Sequence, residues 1–177
     1  MSDTPLATLI EPARLEDAPA IADIEVSAWR EAYAGIVPGD VIENQASSDR
    51  LAMWREVIDT AMVDVLCARR AGVLIGFVAF GPVRETGEYA ERGEIFAFYV
   101  RPAMWSHGVG RSLWQAAQGH LRLLGIQTTE LWVLSANERA RRFYAAAGFV
   151  PQWNSERSVF LDNPAIREVR LVLHEPD

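Results

Sequence analysis

Between Glu94 and Ser112 the chain passes from a strand, through a loop holding Pro and Gly, into an amphipathic helix. No other segment constrains the fold as much. Glu94 to Val100 is rich in Ile, Phe, Tyr and Val, which suit a pleated, partly buried surface. Arg101-Pro102 ends it, because proline offers no N–H to a ladder. After Ser106-His107-Gly108-Val109-Gly110, the positions Leu113, Trp114, Ala117, Leu121 and Leu124 fall on one helical face, with Gly125 as the stop. Glycines here let the backbone approach a ligand closely. The unpaired first amides of the helix stand at the positive end of its dipole. One reading is a phosphate or pyrophosphate site and the other is a tight turn; G-x-G alone does not separate them.

The remainder of the chain alternates strand and helix signals with no repeat or linker that would divide it, so residues 1–177 read as one domain with a flexible lead over 1–5. Ala7 to Ile10 reads as a strand before a turn at Glu11-Pro12, and Asp17 to Tyr33 has helical apolar spacing. A second helix is expected over Ser47 to Thr60. Val63 to Ala68 and Val73 to Phe80 read as a strand pair turning at Arg70-Ala71-Gly72. Thr128 to Leu134 is a further strand. Ser135-Ala136-Asn137-Glu138 matches the S-x-x-E capping box, predicting a helix that ends near Gly148. Ser158 to Leu161 and Glu168 to Leu173 complete an α/β (α+β) pattern with a sheet of mixed direction.

Composition removes several function classes. A net charge of −7 argues against general nucleic-acid binding and favours cationic partners. All 17 basic residues are Arg, which excludes a Schiff-base lysine and a P-loop lysine. The apolar run Val73 to Phe80 is too short to span a bilayer, and the first residues lack a signal-peptide pattern, so no membrane role and a cytoplasmic location are expected. Cys67 is the single cysteine, and the spacing of His107, His120 and His174 suggests no metal site. Gly108-Val109-Gly110 lacks the third glycine of a dinucleotide fingerprint, since Leu113 stands there, which disfavours a nicotinamide-dependent enzyme.

Trp105-Ser106-His107-Gly108-Val109-Gly110, after a strand and before a helix, resembles the acetyl-CoA signature Q/R-x-x-G-x-G/A of the GNAT (Gcn5-related N-acetyltransferase) family. Trp105 departs from the usual Gln or Arg, so its side chain is not carried over. Leu131-Trp132-Val133-Leu134, then Asn137-x-x-Ala140-x-x-Phe143-Tyr144-x-x-x-Gly148-Phe149, resembles the family's later motif, and Ala28-Trp29-Arg30-x-x-Tyr33 its opening. The likeness covers nearly the whole chain. It implies a mostly antiparallel central sheet flanked by helices, and acetyl-CoA as cosubstrate without a metal.

The resemblance also implies site residues. Pantetheine is expected along Phe98, Tyr99 and Val100, and pyrophosphate on the amides of Ser106, His107, Gly108, Val109, Gly110, Arg111 and Ser112. Asn137 would hydrogen-bond pantetheine, or do no more than cap its helix. Tyr144 would protonate the departing thiolate, or be a packed aromatic. Glu94, six residues before Val100, is the candidate base, with a solvent-facing strand carboxylate as the alternative. Trp29 and Tyr33, one helical turn apart, are candidate acceptor-binding aromatics or core residues, and Glu25, Glu31 and Asp40 candidate amine attractors. The reaction implied is acetyl transfer to a small amine, an amino acid, or a peptide or protein N-terminus. A catalytically silent acyl-CoA-binding sensor is the reading from another class. Many family members pair, so a homodimer is one expected assembly that these residues leave open.

Overall fold

A computed structural model of the chain describes residues 7–37, 39, 47–83, 91–160 and 163–176. The strands are β1 (Leu9–Pro12), β2 (Asp64–Arg70), β3 (Val73–Pro82), β4 (Arg92–Val100), β5 (Thr128–Leu134), β6 (Val150–Pro151), β7 (Arg157–Phe160) and β8 (Asn163–His174). The helices are α1 (Ala18–Tyr33), α2 (Ser47–Thr60), α3 (Val109–Leu123) and α4 (Glu138–Ala146). Among the described residues the strands form one sheet in the order β1-β2-β3-β4-β5-β8-β6, with β7 also on β8. Only β4 and β5 run parallel, joined by the α3 crossover that such a pair needs.

Helices cover both faces of the middle of the sheet. On one side Val78, Phe80, Ile95, Leu131 and Val133 pack with Leu113, Ala117 and Leu121 of α3 and Tyr144 of α4. On the other, Val65, Cys67, Phe77 and Ala79 meet Ile21 and Ile24 of α1 and Trp54 of α2. β3 lies between these layers and is buried from Leu74 to Gly81, which is why its sequence runs apolar without alternating.

Several boundaries differ from the sequence reading. β1 lies at Leu9–Pro12, beyond the expected turn, because Pro12 sits on an edge strand whose one neighbour is β2. α4 is capped by Asn137 and not Ser135: the Asn137 side-chain oxygen accepts the Ala140 N–H at 3.1 Å, while Ser135 still bonds across to Arg167. Leu124 is 55% exposed and not on the buried face of α3. It is the C-cap, where the amides of Gly125 and Ile126 fold back to the carbonyls of Arg122 and Leu121, and Ile126 takes the core position. β8 extends well before Glu168, and Leu161 lies outside the described residues.

Glu25 is neither solvated nor free to attract an amine. It is buried, accepts from Trp54 Nε1 at 2.7 Å and pairs with Arg50 at 3.0 Å. Burial raises its pKa above 4.5 against the opposing pull of Trp54 and Arg50. Glu31 is exposed, and Asp40 lies outside the described residues.

Candidate active site

The site begins where two strands part. β4 and β5 pair in register from Arg92–Thr128 to Ile95–Leu131 and then separate, leaving Ala97 to Val100 without a partner strand on that edge among the described residues. The separation opens a cleft of about 930 Å3, within the usual range for ligand pockets. A register shift opposite Ala79 and Phe80 leaves Phe96 as an extra residue, bending β4 at the parting point. This bulge also resets the alternation: Ile95, Phe98 and Val100 face α3, whereas Ala97 and Tyr99 face α1. Without it, Glu94 would share the face of Phe98. With it, Glu94 shares the face of Tyr99.

The loop after β4 forms one wall. Gly108 is the N-cap of α3 at φ +80°, a conformation glycine adopts without strain. A Cβ on Gly110 would stand 3.2 Å from the Phe143 ring, so the bare position lets α3 and α4 meet closely. Ser106, Gly108, Gly110 and Arg111 line the cleft. Ser112 does not, since its amide closes the first helical turn on the Gly108 carbonyl at 3.0 Å and its hydroxyl bonds the same oxygen. Val109 is buried, so its amide alone is available for a ligand. His107 bonds the Trp105 carbonyl at 2.7 Å and is exposed outside the cleft lining. Bare backbone, first-turn amides and Arg111 together fit a pyrophosphate.

Tyr144 is held on the opposite wall by the end of α4. The amides of Gly148 and Phe149 fold back to the carbonyls of Ala145 and Tyr144, and the Tyr144 and Phe149 rings meet at 5.6 Å. Gly148 makes this turn at φ +96°. Tyr144 is 8% exposed, lines the cleft, and burial first and then Tyr33 raise its pKa. Its hydroxyl therefore stays protonated at neutral pH, the state an acid requires.

Tyr33 and Asn137 line the cleft; Trp29 does not. Trp29 instead supports the site, donating its indole N–H to the Tyr99 hydroxyl at 2.8 Å and meeting Tyr33 edge-on at 4.5 Å. Burial raises the pKa values of Tyr33 and Tyr99 as well. Glu94 is half-buried, paired in register with Gly81 and Glu130, at the closed end of the wedge; the cleft lining starts at the next residue, Ile95.

Trp105, Trp132 and Arg139 line the cleft although sequence reasoning gave their side chains no role. The Trp105 indole N–H donates to the Val100 carbonyl at 2.8 Å, and the Arg139 guanidinium lies over the Trp105 ring. Trp132 lines the cleft on β5 with the guanidinium of Arg157 3.6 Å from its ring centroid. Arg139 occupies a position the motif leaves free, and Trp132 stands in the motif strand without an assigned role, so no local signal marks either as a lining residue. Among the described residues no group of three His, Cys, Asp or Glu is placed to hold a metal, and no helix is long and apolar enough to cross a membrane.

Known proteins share this architecture. YuaI of Bacillus subtilis, an uncharacterized N-acetyltransferase, is 28% identical over 163 residues, covering 92% of this chain and 90% of that protein. A mycothiol acetyltransferase of Propionibacterium freudenreichii is 41% identical over 105 residues, 59% of this chain but 32% of that longer protein. The crystal structure of PaiA N-acetyltransferase from Thermoplasma acidophilum in complex with coenzyme A superposes with a TM-score of 0.77 at 20% identity, covering 96% of this chain and 99% of that one. The sequence model of the acetyltransferase (GNAT) family matches residues 19–149, which takes in the wedge, the glycine loop and Tyr144. The chain belongs to the acetyltransferase (GNAT) family.

Proposed function

We propose that this protein, acting in the cytoplasm, moves an acetyl group from acetyl-CoA directly to a primary amine, with Tyr144 as general acid and Glu94 as general base. The observation that carries the reading is the buried Tyr144 side chain lining a wedge whose other wall is a bare-backbone anion cradle. The edge of β4 from Ala97 to Tyr99, beyond its pairing with β5, offers pantetheine amides a strand to pair with. Asn137 caps α4 through its side-chain oxygen while lining the same cleft, where its side chain also meets the Tyr33 hydroxyl.

A C–N bond forms as the amine nitrogen attacks the thioester carbonyl, and the C–S bond breaks. Tyr144 gives its proton to the departing sulfur. Glu94 collects the amine proton through water, and exchange of these protons with solvent restores both groups. The base matters because an alkylamine of pKa about 10.4 is neutral in roughly one part in 2,000 at pH 7, a cost of about 4.6 kcal/mol.

The test is CoA thiol release across amino acids, polyamines, aminoglycosides and short peptides with free N-termini. Turnover with one class is expected, and Tyr144→Phe should lower kcat on the order of 10²-fold with acetyl-CoA affinity unchanged. An unchanged kcat would sink the acid role. Tight acetyl-CoA binding with no release from any amine would instead identify a silent acyl-CoA-binding module.

A further inference from the structure

Among the described residues ten arginines form ion pairs, including Arg92 and Arg170 on Glu130, Arg122 on Glu175 and Arg142 on Glu138. Arg139 does not. It lines the cleft, its Nη1 is buried, and none of its donors meets an acceptor among the described residues. Leaving the buried Nη1 unmet is costly, although the rest of the side chain is only half-buried. Its flat face lies over the Trp105 indole, which satisfies the face of the cation and leaves the planar fork of N–H groups free.

The placement is electrostatically odd. Arg139 stands in the first turn of α4, at the positive end of the helix dipole, where a cation is disfavoured and an anion favoured. Glu138, the acidic residue of that turn, is spent on Arg142. Burial lowers the Arg139 pKa and the charges of Glu31 and Tyr33, at the end of α1, oppose this, so the guanidinium lies near the wall of Tyr33 as well as over Trp105.

The geometry points to Arg139 as the residue that reads a carboxylate on the acceptor, so that the amine acetylated belongs to an amino acid or similar amino-carboxylate. This rests on the acetyl-transfer reading above. A carboxylate suits a planar fork better than a single charge does, because it takes two parallel N–H bonds. The alternative source of an anion is the cofactor itself, and the experiment separates the two.

Calorimetry on the CoA-saturated protein would compare N-acetyl amino acids with the corresponding N-acetyl amino amides across the twenty side chains. The best acid is expected to bind at least about tenfold more tightly than its amide, as loss of a charge-assisted bidentate contact implies. Arg139→Gln should abolish that difference and Arg139→Lys retain part of it, with CoA affinity unchanged in both. Equal binding of acid and amide, or no binding of any acid, would overturn the assignment. So would weakened CoA binding in Arg139→Gln, which would give the guanidinium to the cofactor. Turnover confined to polyamines would overturn it while leaving acetyl transfer intact. Preserved acid–amide discrimination with no turnover would sink acetyl transfer and leave the carboxylate site standing.

Discussion

The indole N–H of Trp105 donates to the Val100 carbonyl at 2.8 Å, tying the loop before α3 back onto the end of β4. Two expected parts of the cofactor site, the strand edge and the glycine cradle, are thereby fixed relative to each other by a side chain that departs from the family motif. Trp105→Phe keeps an aromatic ring under Arg139 and deletes the hydrogen bond. A net loss of about 1 kcal/mol is expected, read as roughly fivefold weaker acetyl-CoA binding by calorimetry with little change in Tm. Unchanged affinity would show that the loop holds its place without this bond.

Gly110 is the position at which α3 and α4 leave no room. A Cβ there meets the Phe143 ring edge at 3.2 Å, a contact a small ring shift can relieve, so Gly110→Ala should bind acetyl-CoA only modestly less well. Gly110→Glu adds bulk and a negative charge beside first-turn amides that are expected to face pyrophosphate. It is expected to abolish acetyl-CoA binding while the far-ultraviolet circular dichroism stays native. Retained micromolar affinity would place the phosphates elsewhere.

The fold was legible because its signals are local. Gly125 and Gly148 end their helices at φ +76° and +96°, and both are visible as glycines after an apolar period. The sequence offers both Ser135 and Asn137 as caps of α4, and the choice is made by tertiary pairing: the Ser135 amide is bonded across the sheet to the Arg167 carbonyl. The bulge at Phe96 has no such signal, being a mismatch in register between two strands that sequence alone does not align. It decides which face Glu94 takes, so the site's polarity was not readable even where its residues were. Glu25 shows the same limit from the other side. Its burial depends on Trp54 and Arg50, which are distant in sequence.

Cys67 is expected to be inert in the native protein. It is fully buried on β2, and burial first, then the nearby Asp17, push its thiol up to about 12. At pH 8 the thiolate would be roughly one part in 10⁴, and no reagent path reaches it without opening the sheet. A chromogenic thiol reagent should therefore label no group in the folded protein over an hour and one group in denaturant. Rapid native labelling would show that the β1–β2 edge opens locally. The result bears on the activity test, because inert protein thiol leaves the released CoA thiol as the whole signal.

Glu94 stands one residue before the last paired position of β4 and β5, on the face of Tyr99, at the closed end of the wedge. A base there would take the amine proton through water at the point where the strands stop excluding solvent. Glu94→Gln keeps the shape and most hydrogen-bonding capacity while removing the base. At pH 7 kcat is expected to fall about 10²-fold with acetyl-CoA affinity unchanged. The deficit should shrink as pH rises towards the acceptor amine's own pKa, about 10 for an alkylamine, because the amine then arrives already neutral and asks less of the enzyme. The ratio of wild-type to variant kcat across pH 6–10 is the measurement. A ratio that stays constant with pH would assign the loss to structure and not to proton removal. A ratio near one throughout would take Glu94 out of the chemistry.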